Sequence, residues 1–173
     1  MRNFQYILLL TLLTTFGCNS QSNRSEYIYD SYERVNDFAD VLTDDQEANL
    51  GELLKSLEDS IGSQLVILTL DSLGELTIEE YSIQVAENWQ IGRANYDDGI
   101  LIMLAIKDRK IRIEVGYGLE LIIKDEIAKQ IIDNTIVPEF RAGNFNGGLT
   151  QASKEIINLI YRNPELVGKK SND

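Results

Sequence analysis

Two rhythms of apolar positions alternate along the chain. Thr43-Asp44-Asp45-Gln46 is a capping box with acids in its first turn, and Ala48, Leu50, Leu53, Leu54 and Leu57 follow at helical spacing until Ile61-Gly62 closes the helix. Gln64 to Leu70 is a largely apolar run of strand length, which predicts a buried strand. Thr77 and Glu80 repeat the capping box and open a second helix through Ile78, Tyr81, Val85 and Trp89, with Gly92 as its stop.

The stretch from Tyr96 to Glu120 then reads as a β-hairpin: an apolar run Ile100 to Ile106, a charged turn, and an alternating run Ile111 to Val115. Ile100 to Ile106 is apolar on both faces, so it is expected to be a central, doubly covered strand. A two-residue turn at Asp108-Arg109 pairs Lys107 with Lys110 and, counted back, sets Met103 against Glu114, Gly99 against Gly118 and Asp97 against Glu120. That register brings Asp97, Asp98 and Glu120 to one edge.

Beyond the hairpin, Asp125 is the expected N-cap of a helix carrying Ile127, Ile131 and Ile132 and ending before Pro138. Phe140 to Gly148 is rich in turn residues, and a last amphipathic helix runs from Leu149 to Tyr161, before Asn163-Pro164. The pattern predicts an α/β fold with helices covering both faces of a small mixed sheet that contains the hairpin, followed by a flexible tail over residues 163–173.

The ends of the chain add a different kind of signal. Arg2, the apolar run Phe4 to Leu13 and the small residues before Cys18 read as a secretory signal peptide, residues 1–17. Thr15-Phe16-Gly17-Cys18 resembles a bacterial lipobox, so Cys18 is the expected lipidation site; the alternative is a simple cleaved signal. Residues 18–34 then form a lipidated N-terminus and linker, in which Tyr27 to Tyr32 is a candidate edge strand or clasp. Export, anchoring to the cell membrane or the outer membrane, and a domain facing the periplasm follow as expectations. Cys18 is the only cysteine, so an internal disulfide is excluded.

Charge and composition narrow the chemistry. The 173 residues have room for one domain, expected to be monomeric. Without residues 1–17 the chain loses Arg2 and no acid, leaving 15 basic and 28 acidic side chains and a formal charge of −13. Such a chain repels nucleic acid and anionic lipid and favours cations. It contains no histidine, which removes Ser-His and Cys-His catalysis and most zinc or copper sites.

Five segments in order resemble one family: Val35-Asn36-Asp37-Phe38-Ala39, Trp89-Gln90-Ile91-Gly92, Asp97-Asp98-Gly99-Ile100-Leu101, Arg112 to Glu120 and Phe140-Arg141-Ala142-Gly143-Asn144-Phe145. Together they resemble the TPM domain, found in bacterial exported proteins, plant thylakoid-lumen proteins tied to photosystem II repair and an animal modulator of acetylcholine receptors. The resemblance implies a three-layer, Rossmann-like α/β/α sandwich over residues 35–162, tethered to a membrane outside the cytosol. It associates calcium binding with some members, acid phosphatase activity with a plant member, and membrane-complex partnership with others. One departure is Leu121, where the family usually has glycine after Gly-Tyr-Gly-Leu-Glu.

Two functions of different class remain as expectations. In the first, a calcium-binding interaction and maintenance module serves an envelope membrane protein, with Asp97, Asp98 and Glu120 converging by the hairpin register and Asp37 arriving from a neighbouring layer as metal ligands. The competing reading makes Asp97-Asp98-Gly99 a solvated turn and pairs Glu120 with Arg93 or Arg141. In the second, a metal-dependent acid phosphatase uses a metal-bound water, with Arg141 as candidate phosphate ligand. No Asp-x-Asp nucleophile motif is present for the alternative that uses an aspartate. Arg112 alternates with Ile111 and Ile113 and is expected on a sheet face near Glu114.

Overall fold

The computed structural model describes residues 33–170. The signal segment, Cys18, the tyrosine-rich stretch and residues 171–173 lie outside the described residues.

The chain runs β1 (Val35–Asp37), α1 (Asp44–Ile61), β2 (Gln64–Leu70), α2 (Ile78–Asn88), β3 (Gly99–Ala105), β4 (Lys110–Val115), α3 (Asp125–Ile131), α4 (Val137–Arg141) and α5 (Phe145–Arg162). The strands form one sheet in the order β1-β2-β3-β4, with β1, β2 and β3 parallel and β4 antiparallel to β3. Both capping boxes form as the sequence predicts, from Thr43 with Gln46 and from Thr77 with Glu80. Each satisfies orphan N–H groups at a helix start, so both helices begin where local chemistry says they should.

β3 is buried along all seven residues because layers cover both its faces. On one face, Leu50, Leu54 and Leu57 of α1 and Ile156, Ile157 and Ile160 of α5 meet Ile67, Ile100, Ile102 and Leu104. On the other, Ile78, Tyr81 and Val85 of α2 meet Val66, Leu68, Leu101 and Met103. The result is a three-layer α/β/α sandwich. The two parallel crossovers step the same way across the sheet while α1 and α2 lie on opposite faces, so the crossovers have opposite hands and one departs from the right-handed rule.

Four local features differ from expectation. β1 is a strand of only three residues, with Asn36 donating to the carbonyls of Glu33 (2.7 Å) and Ile67 (3.2 Å). The helix after Asp125 does not stop at Pro138: Ile132–Ile136 forms a π turn in which Val137 N–H reaches back to the Ile132 carbonyl, and α4 continues with Pro138 near its start. Slipping the ladder by one residue just before proline removes the clash that a regular helix would suffer. α5 begins at Phe145 rather than Leu149, capped by Asn144, which accepts from Gly147 N–H at 3.0 Å. Finally, the tail is docked as far as it is described: Leu166 and Val167 pack on the core, and Gly168 N–H donates to the Gly118 carbonyl at 2.9 Å.

Candidate functional site

The open end of the β3–β4 hairpin is where the sequence concentrates acids and glycines. Asp98 opens β3 and is fully buried. Its Oδ1 accepts from Arg93 N–H (2.8 Å), and its Oδ2 accepts from Ser63 Oγ (3.0 Å), Arg93 Nε (2.9 Å) and Arg93 Nη2 (2.5 Å). The guanidinium also lies 3.9 Å from the centroid of the Tyr96 ring. A buried carboxylate held this way has its charge and its lone pairs committed to the protein. Gly99 follows because a Cβ there would stand 2.1 Å from the Ile91 carbonyl oxygen.

Asp97 is different. It takes a left-handed backbone (φ 47°), and its carboxylate pairs with Lys170 at 2.5 Å. The register expected for it does not form. Ile100 faces Val115, Leu101 faces Glu114 and Met103 faces Arg112, so the Gly99 carbonyl receives Gly116 N–H (2.8 Å) and the Asp97 carbonyl receives Gly118 N–H (2.9 Å). The difference arises at the other end of the hairpin: Lys107 N–H, which the expected register aims at β4, donates instead to the Asp71 carbonyl (2.8 Å), while Ile106 N–H continues the ladder with β2 at the Leu70 carbonyl (2.9 Å). Residues 106–109 become the turn, with Arg109 at φ 53°. A slip of two preserves which face each side chain occupies but moves Glu120 out of opposition to Asp97. Leu121, the departure from the family pattern, sits in the turns that follow and is not among the residues with positive φ.

Asp37 is at the far end of the sheet. It pairs in register with Thr69, whereas Asp98 adjoins Gln64, five residue steps or about 17 Å back along β2. Its carboxylate accepts from Thr69 Oγ1 and from Leu42 N–H (2.7 Å), which fastens β1 to the loop before α1. Around it stand Glu33, Asp40, Asp44 and Glu47, and the Glu47 carboxyl is pushed above its ordinary value by burial first and then by Asp37, Asp44, Asp40 and Glu33.

Calcium takes six to eight oxygens. Asp37 lies apart, Asp98 is committed to Arg93, and among the described residues no group of three or more acidic side chains is placed to share an ion. The four-carboxylate set Asp37, Asp97, Asp98 and Glu120 therefore does not assemble. The one ion pair foreseen for Arg93 forms with Asp98 rather than with Glu120.

What the hairpin does create is a groove of about 770 Å³ along the outer edge of β4. Its floor is Ile111 to Gly116, one wall is Glu79, Ile83, Ala86 and Glu87 of α2, and the other is Asp125, Ala128 and Lys129 of α3 with Ile132 and Asp133 of the π turn. Asp97, Tyr117 and Glu120 close the end. Seven carboxylates line it against two cations, and both cations are spoken for: Arg112 pairs with Glu114 (2.6 Å) and Lys129 with Asp133 (2.7 Å). Among the described residues Glu79, Glu87, Glu120 and Asp125 make no ion pair. The α2 wall was open to discovery in the sequence, because Glu79, Ile83 and Glu87 recur at intervals of four and put an exposed isoleucine between two acids on one helical stripe.

A second cavity, about 650 Å³, lies at the turn end of the hairpin, with Arg109, Lys110 and Arg141 around apolar Ile106, Ile111, Val137, Phe140 and Phe145. Arg141 thus sits at the opposite end of the hairpin from Asp97 and Glu120. Among the described residues none of its three cations has an acidic partner. No described helix is long and apolar enough to cross a membrane.

Comparison with known proteins agrees with this architecture. The family model of the TPM domain matches residues 35–159. Among solved structures, the N-terminal domain of a protein from P. gingivalis is 28% identical over 83% of this chain and 90% of its own, with a TM-score of 0.71. The BA42 protein of the psychrophilic bacterium Bizionia argentinensis is 20% identical over 70% of this chain and 82% of its own, with a TM-score of 0.61. The N-terminal domain of a Corynebacterium glutamicum protein is 11% identical over 98% of this chain and 93% of its own, with a TM-score of 0.58, and these last two show the fold alone. No curated protein matches the chain.

Proposed function

The chain belongs to the TPM domain family, and we propose that it works as an exported interaction module, held at an envelope membrane through lipidated Cys18, that grips a cationic segment of a membrane-protein partner in the groove along β4. The observation that carries this reading is the charge of the groove: of its seven carboxylates three are paired, Glu114 with Arg112, Asp133 with Lys129 and Asp97 with Lys170, and four, Glu79, Glu87, Glu120 and Asp125, make no ion pair among the described residues. Unpaired acids facing one another across a groove repel, and a cationic partner relieves that repulsion on binding. The exposed Ile83 and Tyr117 add apolar contact area beside the acids.

Phosphatase chemistry is the alternative, and it needs its phosphate ligand within reach of the carboxylates that act on the ester. Arg141 and the pair Asp97 and Glu120 stand at opposite ends of the hairpin, and an acid-lined groove repels a phosphate monoester. The cavity that does hold Arg141, with Arg109 and Lys110, has no carboxylate among its described lining residues to hold a metal or act as a base.

The test is a calorimetric titration with a capped heptapeptide of alternating lysine and valine. Binding is expected to weaken with salt, and Glu79→Lys with Glu87→Lys is expected to weaken it at least tenfold, about 1.4 kcal/mol. Equal affinity in the charge-reversed protein, or equal affinity for the peptide with glutamate in place of lysine, would sink the reading. For the anchor, Cys18→Ala is expected to release the protein from membranes, and unchanged membrane retention counts against lipidation.

A further inference from the structure

The edge of β4 carries more than charge. Gly116 N–H donates to the Gly99 carbonyl, so the hydrogen-bonded pairs of the β3–β4 ladder are the ones that continue with Glu114, Arg112 and Lys110. In an antiparallel ladder such residues turn both main-chain groups toward the partner strand, and the residues between them turn both away. Ile111, Ile113 and Val115 therefore each aim one N–H and one C=O out of the sheet, into the groove, and no other strand of the described residues lies on that side. The edge from Ile111 to Val115 is about 14 Å long. Past it the chain closes its own hairpin, with Gly168 N–H on the Gly118 carbonyl and Lys170 on Asp97.

We propose that β4 is an acceptor strand: an extended segment of a partner protein, with Lys or Arg alternating with aliphatic residues, adds to it as a fifth strand. This rests on the groove reading above and says how the partner is held. Main-chain bonds to Ile111, Ile113 and Val115 supply the docking, and the alternation of side chains supplies the selection. Residues on one face of the added strand meet the Glu79, Ile83 and Glu87 stripe of α2, so cations belong there. Those on the other face meet Ala128 and Ile132, with Asp125 and the Lys129–Asp133 pair beside them, so aliphatic side chains belong at the middle of that face. The charge also selects against the commonest wrong occupant. A second copy paired edge to edge would bring two acid-lined grooves together, and like charge on an exposed edge is one of the ways proteins discourage self-pairing.

The experiment uses the full chain and two peptide probes: the capped lysine-valine heptapeptide and the same peptide N-methylated at every second residue. N-methylation keeps charge and side chains while removing the N–H groups of one strand edge. In the free protein the amides of Ile111, Ile113 and Val115 are expected to exchange with solvent faster than those of Arg112 and Glu114. A saturating concentration of the unmodified peptide is expected to slow the three at least tenfold, and the methylated peptide is expected to bind at least tenfold more weakly. If both peptides bind equally, still weakened by Glu79→Lys with Glu87→Lys, and the three amides do not change, strand addition is wrong and the groove reading stands. If neither peptide binds at millimolar concentration, or if binding ignores the charge reversal, the groove reading fails and takes this proposal with it. Should the three amides be protected without peptide, in step with a concentration-dependent dimer in sedimentation, the edge belongs to a second copy and the proposal is overturned.

Discussion

Along the outer edge of β4 the groove holds Glu79, Glu87, Glu120 and Asp125, none of them in an ion pair among the described residues, while at the turn end Arg109, Lys110 and Arg141 surround an apolar cavity and likewise make no ion pair among the described residues. At the open end, out of reach of water, Asp98 is buried and bound to Arg93 and Ser63. Burial sorts the charges by task. A carboxylate removed from water must be paired within the fold, whereas one left in water keeps its full charge for a partner without penalty. Asp97 and Asp98 are adjacent in sequence, yet Asp98 is buried against Arg93 and Ser63 whereas Asp97 is partly in water and pairs with Lys170 of the tail. A carboxylate beside another carboxylate is therefore poor evidence that both share one site.

The largest effect expected from this contrast is at Asp98. Asp98→Ala leaves the Arg93 guanidinium beside an apolar methyl group and orphans Ser63 Oγ and Arg93 N–H. Breaking a buried ion pair typically costs about 3–5 kcal/mol, and because Arg93 can turn partly to water the lower end, about 3 kcal/mol, is expected in urea unfolding. Glu120→Ala, on the exposed side of the division, is expected to stay within about 0.5 kcal/mol of the parent. Equal costs at the two positions would undo the distinction between structural and available acids.

A smaller effect sharpens the other half of the comparison. Arg109→Glu with Arg141→Glu reverses charge at the turn end and touches no ion pair among the described residues. Ile111 lines both cavities, so only that end of the groove lies near Arg109. Fields between exposed charges fade beyond a Debye length of about 8 Å at physiological salt, and affinity of the groove for the lysine-valine peptide is therefore expected to rise less than about fivefold. A tenfold gain would mean that the two ends are read by a partner as one surface.

How much of this was legible in the sequence depends on how local each cause is. Thr43 with Gln46 and Thr77 with Glu80 act within one turn, and both helices start where the sequence says. Seven apolar residues in a row mark β3 as doubly covered without reference to anything distant. The hairpin register is the counterexample, because it turns on the carbonyl of Asp71, just past the end of β2, which draws Lys107 N–H away from β4. β1 escaped notice because its three residues include Asn36 and Asp37, whose side chains are satisfied by Glu33, Ile67 and Thr69 only once the fold exists. Pro138 reads as a stop, and only the π turn ahead of it lets the chain remain helical. The groove walls were visible as stripes on α2 and α3, but that they face each other across β4 is a tertiary fact.

The third acid group, around Asp37, gives the smallest prediction. Glu47 sits in the first turn of α1, where the helix dipole favours a negative charge, yet its carboxyl is raised above 4.5 by burial and by four neighbouring acids. A raised carboxyl means that the folded state holds the proton more tightly than the unfolded state. Below 4.5 both states are protonated and the group costs nothing; as pH rises through the interval above 4.5 the unfolded state releases its proton first, and stability falls. Glu47→Gln removes that slope. Because Glu47 is partly in water and the dipole works in the opposite direction, the variant is expected to gain only a few tenths of a kcal/mol at pH 7. The gain should shrink toward zero or reverse at pH 4, when unfolding midpoints of variant and parent are compared across pH. A variant that loses stability at pH 7 would show that the dipole outweighs the acid cluster. Asp37 would then stand in a neighbourhood no more strained than the groove, where the acids are spread along two helices and open to water.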